Sequence, residues 1–203
     1  MITGIPCESV PGHPHFRRLS GIARIQVDLR YASPRNFIGR DLYSPLDCGW
    51  LHRDSAKALE KSVAWLASQR ADIHMLVLDA LRPQRVQEQL WAALEGTDLR
   101  EYLASPIRGS IHSFGMAVDI TLVDAEGREL DMGTAFDDLT PRSHPARESE
   151  FLAGGELSRQ HLDNRRLLRE AMRQGGWAGI NSEWWHFDCG DRNAVRATYP
   201  RVL

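Results

Sequence analysis

Ser110-Ile-His-Ser-Phe-Gly-Met-Ala-Val-Asp-Ile-Thr-Leu122 is the stretch that the rest of the 203-residue chain is organised to complete. His112 and Asp119 are ligand types that a borderline cation such as zinc accepts, one nitrogen and one oxygen, each about 2 Å from the ion. A straight strand from 112 to 119 would separate them by about 23 Å at roughly 3.3 Å per residue. The chain must therefore turn between them, and Gly115 is the residue that permits it. Beyond the turn, Met116, Val118, Ile120 and Leu122 alternate with Ala117, Asp119 and Thr121. That pattern predicts a half-buried strand with Asp119 on the face opposite the larger apolar residues. Two ligands do not make a site. The completing segment is Glu183-Trp-Trp-His-Phe187, which brings a second histidine, His186, and a carboxylate three residues before it. A regular strand would put Glu183 and His186 on opposite faces, so Glu183 is expected on the irregular start of that strand, after the Asn181-Ser182 turn. Three ligands and a spare carboxylate have the composition of a hydrolytic zinc centre, with a fourth position open to water and the carboxylate as base.

Length and composition bound the alternatives. A chain of this size is expected to form a single domain spanning 1–203, with a sizeable core. Hydrophobic residues make up 42%, charged residues 26%, and the net charge is −2. That balance gives no electrostatic case for nucleic acid or an anionic membrane. No apolar run approaches the roughly 20 residues needed to cross a bilayer, and the start Met-Ile-Thr-Gly-Ile-Pro-Cys lacks the basic and apolar regions of a signal peptide. The expected location is the cytoplasm. Cys7, Cys48 and Cys189 are odd in number and far apart in sequence, which fits reduced thiols and not a disulfide framework.

Residues 1–20 are rich in Pro, Gly and His without periodicity and read as a surface arm. His13 and His15 there lack a third ligand nearby, which favours an ordinary loop over a metal site. Ile25, Val27, Leu29 and Tyr31 alternate with polar residues and predict a strand with Tyr31 ending its inner face. Residues 32–50 read as a long loop. Asp54 is a favourable N-cap for a helix with Ala56, Leu59, Val63 and Leu66 on one stripe, up to about Arg70. Ile73 to Leu78 is a short apolar run, read as a central strand that empties into Asp79-Ala-Leu-Arg-Pro83. Pro83 suits the first turn of a helix carrying Val86, Leu90 and Leu94, closed by Gly96. Asp79 and Arg82 then sit where side chains converge on a pocket, or form a local ion pair holding the turn. Residues 97–109 read as a short helical piece and a loop. Residues 123–130 look like a turn feeding a second strand, 139–156 like an exposed flap with a solvent-facing His144. Leu157, His161, Leu168 and Met172 outline a helix over 156–174, stopped by Gly175-Gly176. A last strand is expected over Glu183–Asp188. The fold class expected from this order is α+β, a small, mostly antiparallel central sheet with flanking helices and the zinc site at the sheet.

Several motifs together resemble the D-alanyl-D-alanine dipeptidases, zinc peptidases associated with vancomycin resistance and with recycling of the cell-wall dipeptide. They are Asp28-Leu-Arg-Tyr-Ala32 with Asn36-Phe-Ile-Gly39, Asp79-Ala-Leu-Arg-Pro83, Ser110 to Asp119, Met132-Gly-Thr-Ala-Phe-Asp137 and Glu183-Trp-Trp-His186. The Ser-x-His-x6-Asp and Glu-x-Trp-His pair is shared with a wider group of cell-wall peptidases, whereas the Asp-Leu-Arg-Tyr and Met-Gly-Thr-x-Phe-Asp segments point to the dipeptidases. The resemblance implies one zinc ion per chain on His112, Asp119 and His186, with Glu183 as general base and Arg82 facing the oxygen of the tetrahedral intermediate. It implies Tyr31 and Asp137 around the substrate's free amine, and Ser110, Asp79 and Tyr43 in the substrate pocket, Tyr43 at the carboxylate end. The expected partner is a small dipeptide, with neither nucleic acid nor membrane; the sequence is silent on oligomeric state. Within the enzyme class the competing reading is a D,D- or L,D-carboxypeptidase acting on longer wall peptides. Outside it stands a non-catalytic zinc module, which Glu183 and Arg82 argue against, because structural zinc is normally closed by four protein ligands.

Overall fold

The computed structural model describes residues 4–203. A short strand β1 (Phe16–Arg18) is followed by β2 (Ile25–Val27), β3 (Trp50–His52) and the long helix α1 (Arg53–Gln69). Next come β4 (His74–Asp79), α2 (Gln84–Ala93) and β5 (Ala117–Val123). The chain ends with α3 (Glu148–Ala153), α4 (Arg159–Gly175), β6 (Trp177–Gly179), β7 (His186–Cys189) and α5 (Arg192–Thr198). Five strands form one sheet in the order β2-β4-β5-β7-β6, and β1 pairs with β3 in a separate two-stranded sheet. In the larger sheet only β2–β4 is parallel. The architecture is α+β with a mostly antiparallel sheet, as the element order predicts.

The apolar stripe of α1 supplies the main core: Ala56, Leu59, Val63 and Leu66 are buried against Met75 and Val77 of β4, Val118, Ile120 and Leu122 of β5, and Leu168 and Met172 of α4. Burying such a set is the dominant favourable term in folding. A second cluster, around Tyr31, Tyr43, Leu81, Val86 and Leu90, lies beneath the α2 side and includes Cys7 and Cys48. No helix is long and apolar enough to cross a membrane among the described residues.

Several elements depart from the pattern reading, each for a local reason. All seven residues of β5 are buried, so the strand is not half-exposed. Phe136, from the loop after β5, packs with Leu76, Leu78 and Val123 on the second face of the sheet. The expected strand ending at Tyr31 shortens to three residues, with Val27 40% exposed. It is an edge strand paired on one side only, and the chain leaves it through a 3-10 turn at Arg30–Ala32 that buries Tyr31 by a turn and not by alternation. α1 is capped by His52, whose Nδ1 accepts from the Asp54 amide at 3.2 Å, and Asp54 lies in the first turn where it complements the helix dipole. α4 starts at Arg159 because Ser158 and His161 form a reciprocal capping box, so His161 caps the helix and Leu157 stays outside it. Residues 123–130 form a single bridge, Val123 to Glu129, and no second strand. The segment read as an exposed flap contains α3 and buries Ser143 and Glu148, and His144 bonds the Tyr102 hydroxyl at 2.9 Å. Within 1–20 the arm contains β1 and buries Cys7, Val10 and Phe16; residues 1–3 lie outside the described part. Strands β1, β3 and β6 and helix α5 carry no periodicity long enough to read from sequence.

Candidate metal centre and active-site cavity

Strand register builds the site. Asp79 of β4 is the cross-strand partner of Asp119 of β5, and Asp119 is the partner of His186 of β7. Three polar side chains thus form one row across three adjacent strands, where directly opposed residues lie about 4.5–5.5 Å apart at Cα. A register irregularity between Val77 and Asp79 brings Asp79 into this row. His112 arrives from the 3-10 turn Ile111–Phe114, which Gly115 closes at φ 64°. A side chain at Gly115 would sit 2.7 Å from the His52 amide, which donates to the Gly115 carbonyl at 2.9 Å. The turn required between His112 and Asp119 is therefore clamped onto β3.

The converging atoms are His112 Nε2, Asp119 Oδ1 and His186 Nδ1, mutually 3.2, 3.4 and 3.0 Å apart. Ligands about 2.0–2.1 Å from a tetrahedral ion lie about 3.3 Å from one another, so the triangle has the size a zinc-like cation requires. This is the one such group of three His, Cys, Asp or Glu residues among the described residues. Each imidazole is held by its other nitrogen. His112 Nδ1–H donates to the Ala80 carbonyl at 2.8 Å, and His186 Nε2–H donates to Asp188 Oδ1 at 2.9 Å. Both hydrogen bonds leave a lone pair facing the third ligand, the usual arrangement behind metal-binding histidines. Asp188 is itself held by Arg192 Nε at 2.5 Å.

Burial disfavours charge on His186, but Asp188 and Asp119 override it and push the imidazole up to about 10. Burial likewise works against Asp119, and the two histidines hold it well below the usual carboxylate range. Asp119 is thus an anion set between two imidazole nitrogens, a surrounding that favours added positive charge. Glu183 is not one of the converging atoms. It is buried, 9% exposed, and desolvation pushes its carboxyl up to about 7. β7 begins at His186 itself, so Glu183 precedes the strand instead of opening it. Arg82 lines the same cavity as Glu183, its Nε and Nη2 donating to Asp79 Oδ2 at 2.9 and 2.6 Å and its Nη2 reaching Asp119 Oδ2 at 3.3 Å.

A cavity of about 440 Å³ opens onto these groups and is lined by Tyr31, Arg82, Ser110, His112, Asp119, Asp137, Glu183 and His186, among others. Gly133, at φ 80°, lets the Met132–Asp137 loop pass close to the start of α4, where a Cβ would lie 2.4 Å from Leu157 and 2.6 Å from His161 Nδ1. That loop delivers Asp137, itself in the left-handed region at φ 62°, a conformation a non-glycine residue adopts at some cost. Asp137 Oδ1 accepts from the Tyr31 hydroxyl at 3.1 Å, whereas its Oδ2 is buried with no partner. Burial, then the nearby Asp119 charge, raises the Asp137 carboxyl well above its usual value.

Of the residues singled out from sequence, the cavity brings together Glu183, Arg82, His112, Asp119, His186, Tyr31, Asp137 and Ser110. It does not include Asp79 and Tyr43. Both are buried behind Arg82, and the Tyr43 hydroxyl donates to Asp79 Oδ1. These two hold the arginine from beneath instead of facing a ligand. Sequence reasoning missed Asp188, which stands two residues after His186 on the same strand face, a spacing that could have exposed it. It also missed Arg192, which opens α5 four residues on, and Arg108 and Arg196 in the cavity wall.

The family profile described as D-ala-D-ala dipeptidase, of the peptidase M15 type, matches residues 16–203. A D-alanyl-D-alanine dipeptidase of Escherichia coli K12 is 38% identical over 176 residues, covering 87% of this chain and 82% of its own length. The D-alanyl-D-alanine dipeptidase of Enterococcus faecium is 31% identical over 187 residues, 80% of this chain and 85% of that protein. A protein of the same description from Enterococcus faecalis V583 is 30% identical over 189 residues, with the same coverages. With a match that spans nearly the whole sequence and a metal-sized triangle of ligand atoms lining a cavity, the chain belongs to the D-Ala-D-Ala dipeptidase family of metallopeptidases.

Proposed function

We propose that this chain hydrolyses the dipeptide D-Ala-D-Ala, with one zinc ion held by His112 Nε2, Asp119 Oδ1 and His186 Nδ1. The observation that carries the reading is that a buried carboxylate pushed up to about 7, Glu183, shares the cavity with that triangle without joining it. A structural metal site closes on four protein ligands; this one offers three and a base. A zinc ion held there would supply Lewis acidity to the scissile carbonyl and to the attacking water. Glu183 takes the proton from the attacking water and passes it to the leaving nitrogen, a role worth about 10²- to 10⁴-fold. Its raised pKa fits that traffic, since a group near the working pH can both accept and release a proton. Arg82, fixed by Asp79 and by Gln87 Oε1 at 3.1 Å, faces the carbonyl oxygen as it becomes negative.

Asp137 and Tyr31 hold the substrate ammonium. The unpartnered Oδ2 of Asp137 is an acceptor awaiting a donor, and an ammonium supplies a charge-assisted hydrogen bond worth roughly 1.5–3 kcal/mol. The test compares D-Ala-D-Ala, its N-acetyl derivative and a wall pentapeptide ending in the same dipeptide, each with and without a chelator. Chelator-sensitive cleavage of the free dipeptide, with the blocked and long substrates left intact, is the expected result. Comparable rates on all three would overturn the amine pocket and make the protein a carboxypeptidase.

A further inference from the structure

We propose that Arg108, Arg192 and Arg196, with Ser110, form the subsite for the substrate's carboxylate, so that the cavity reads a zwitterion from end to end. The inference rests on the dipeptidase reading and assigns the end of the pocket that Tyr43, engaged with Asp79 behind Arg82, does not occupy.

The cavity is polarised along the sheet. Tyr31 leaves the β2 edge and meets Asp137, while Arg192 and Arg196 belong to α5, which follows β7. Asp119 of β5 lies between these flanks in the strand order. The Tyr31–Asp137 end, where the one guanidinium among the described residues is that of Arg82, 4.9 Å over the Tyr31 ring and already bound to Asp79 and Asp119, thus faces an arginine-rich end across the ligand triangle. The other arginines of the lining are engaged. Arg82 is held by two carboxylates, and Arg100 donates to the Trp91 carbonyl at 3.1 Å with its guanidinium over the Trp91 ring. At the basic end, Arg192 uses its Nε on Asp188 and Arg196 its Nε on the Gly109 carbonyl at 3.1 Å. Arg108, exposed at the mouth, has no side-chain hydrogen bond or ion pair among the described residues. Burial, then repulsion from Arg108 and Arg192, holds the Arg196 guanidinium below its usual value, with Asp188 the acid that partly offsets it. Like charges gathered at a cavity wall favour an anion, and the planar donor fork of arginine matches a carboxylate. Ser110, buried on the same wall, adds a hydroxyl.

The deciding experiment measures kcat/KM for D-Ala-D-Ala and for D-alanyl-D-alaninamide, which lacks the carboxylate charge, in wild type, Arg108→Gln and Arg196→Gln. Each variant is expected to lose about tenfold or more on the free acid, mainly through KM, and to leave the amide rate nearly unchanged. Arg108 is exposed and unpaired, so its variant keeps the fold even if that of Arg196 does not. Equal losses on acid and amide, or an unaltered acid-to-amide ratio in both variants, would overturn the subsite while leaving the dipeptidase reading standing. Failure of the wild type to cleave D-Ala-D-Ala at all would instead overturn that reading, and the subsite with it.

Discussion

Two buried arginines, Arg82 at 5% exposure and Arg165 at 1%, show how differently the same side chain is used within this protein. Arg165 is surrounded by neutral acceptors: Nε donates to the Met132 carbonyl at 2.7 Å, Nη1 and Nη2 to the Arg142 carbonyl at 3.1 Å, and Nη2 to Thr134 Oγ1 at 3.3 Å. Glu148, 3.4 Å from Nη1, is its one carboxylate partner, and burial holds its guanidinium below the usual value. It closes the loop that carries Asp137 and takes no part in the cavity lining. Arg82 has two carboxylates on one guanidinium, Asp79 and Asp119; although burial opposes its charge, Asp79 and other neighbours hold it well above its usual value. A scaffold arginine needs only its donors satisfied. Arg82 sits in an excess of negative charge, which the proposed mechanism uses by sharing Asp119 with a metal and setting Arg82 against a developing oxyanion.

The sharpest separation of the two regions comes from Glu183→Gln. Turnover should fall by about 10²- to 10⁴-fold while metal content and Tm stay near wild type, because a neutral isostere replaces a carboxyl that burial already pushes toward neutrality. Wild-type turnover in this variant would send the search to another base. Next in size, Arg82→Ala should lower kcat by about 3–4 kcal/mol of transition-state stabilisation with little change in KM. Arg165→Ala should mainly lower stability, by about 3–5 kcal/mol for a buried charge network opened on one side. If Arg165→Ala kept its Tm and lost kcat as Arg82→Ala does, the distinction between the two arginines would be wrong.

A smaller effect is expected at Asp188, which orients His186 from outside the triangle: Asp188→Ala should weaken metal affinity by about 10- to 100-fold, read by competition with a chromophoric chelator. Unchanged affinity would place Asp188 with the scaffold. The smallest effect concerns His52, remote from both arginines. Burial, its largest perturbation, lowers its pKa from 6.5 to about 4. The unfolded chain takes up that proton first, so the stability His52 contributes is complete above about pH 6.5 and is lost as pH falls toward about 4. His52→Asn, which keeps a capping side chain, should flatten this limb in denaturation curves measured at two pH values. A parallel decline in variant and wild type would assign the pH dependence to other groups.

The converging triad of His112, Asp119 and His186 was legible in sequence because each member announces itself locally. His112 and Asp119 flank a glycine that must turn, His186 follows Trp-Trp three residues after a carboxylate, and a stripe of apolar positions from Ala56 to Leu66 marks α1 as scaffold in the same direct way. The α+β class followed from the alternation of such elements. Tertiary structure alone decided what depends on neighbours distant in sequence. Both faces of β5 are covered because Phe136 folds back over the sheet, and the three-residue strands exist only through the partners they pair with. Tyr43 turned inward to Asp79 because the second core cluster closes over it, while α5, too short to show a period, delivers Arg192 and Arg196 to the cavity. Periodicity records which face of an element is buried; it holds no record of what buries it, and the far side of an active site is made of such long-range contacts.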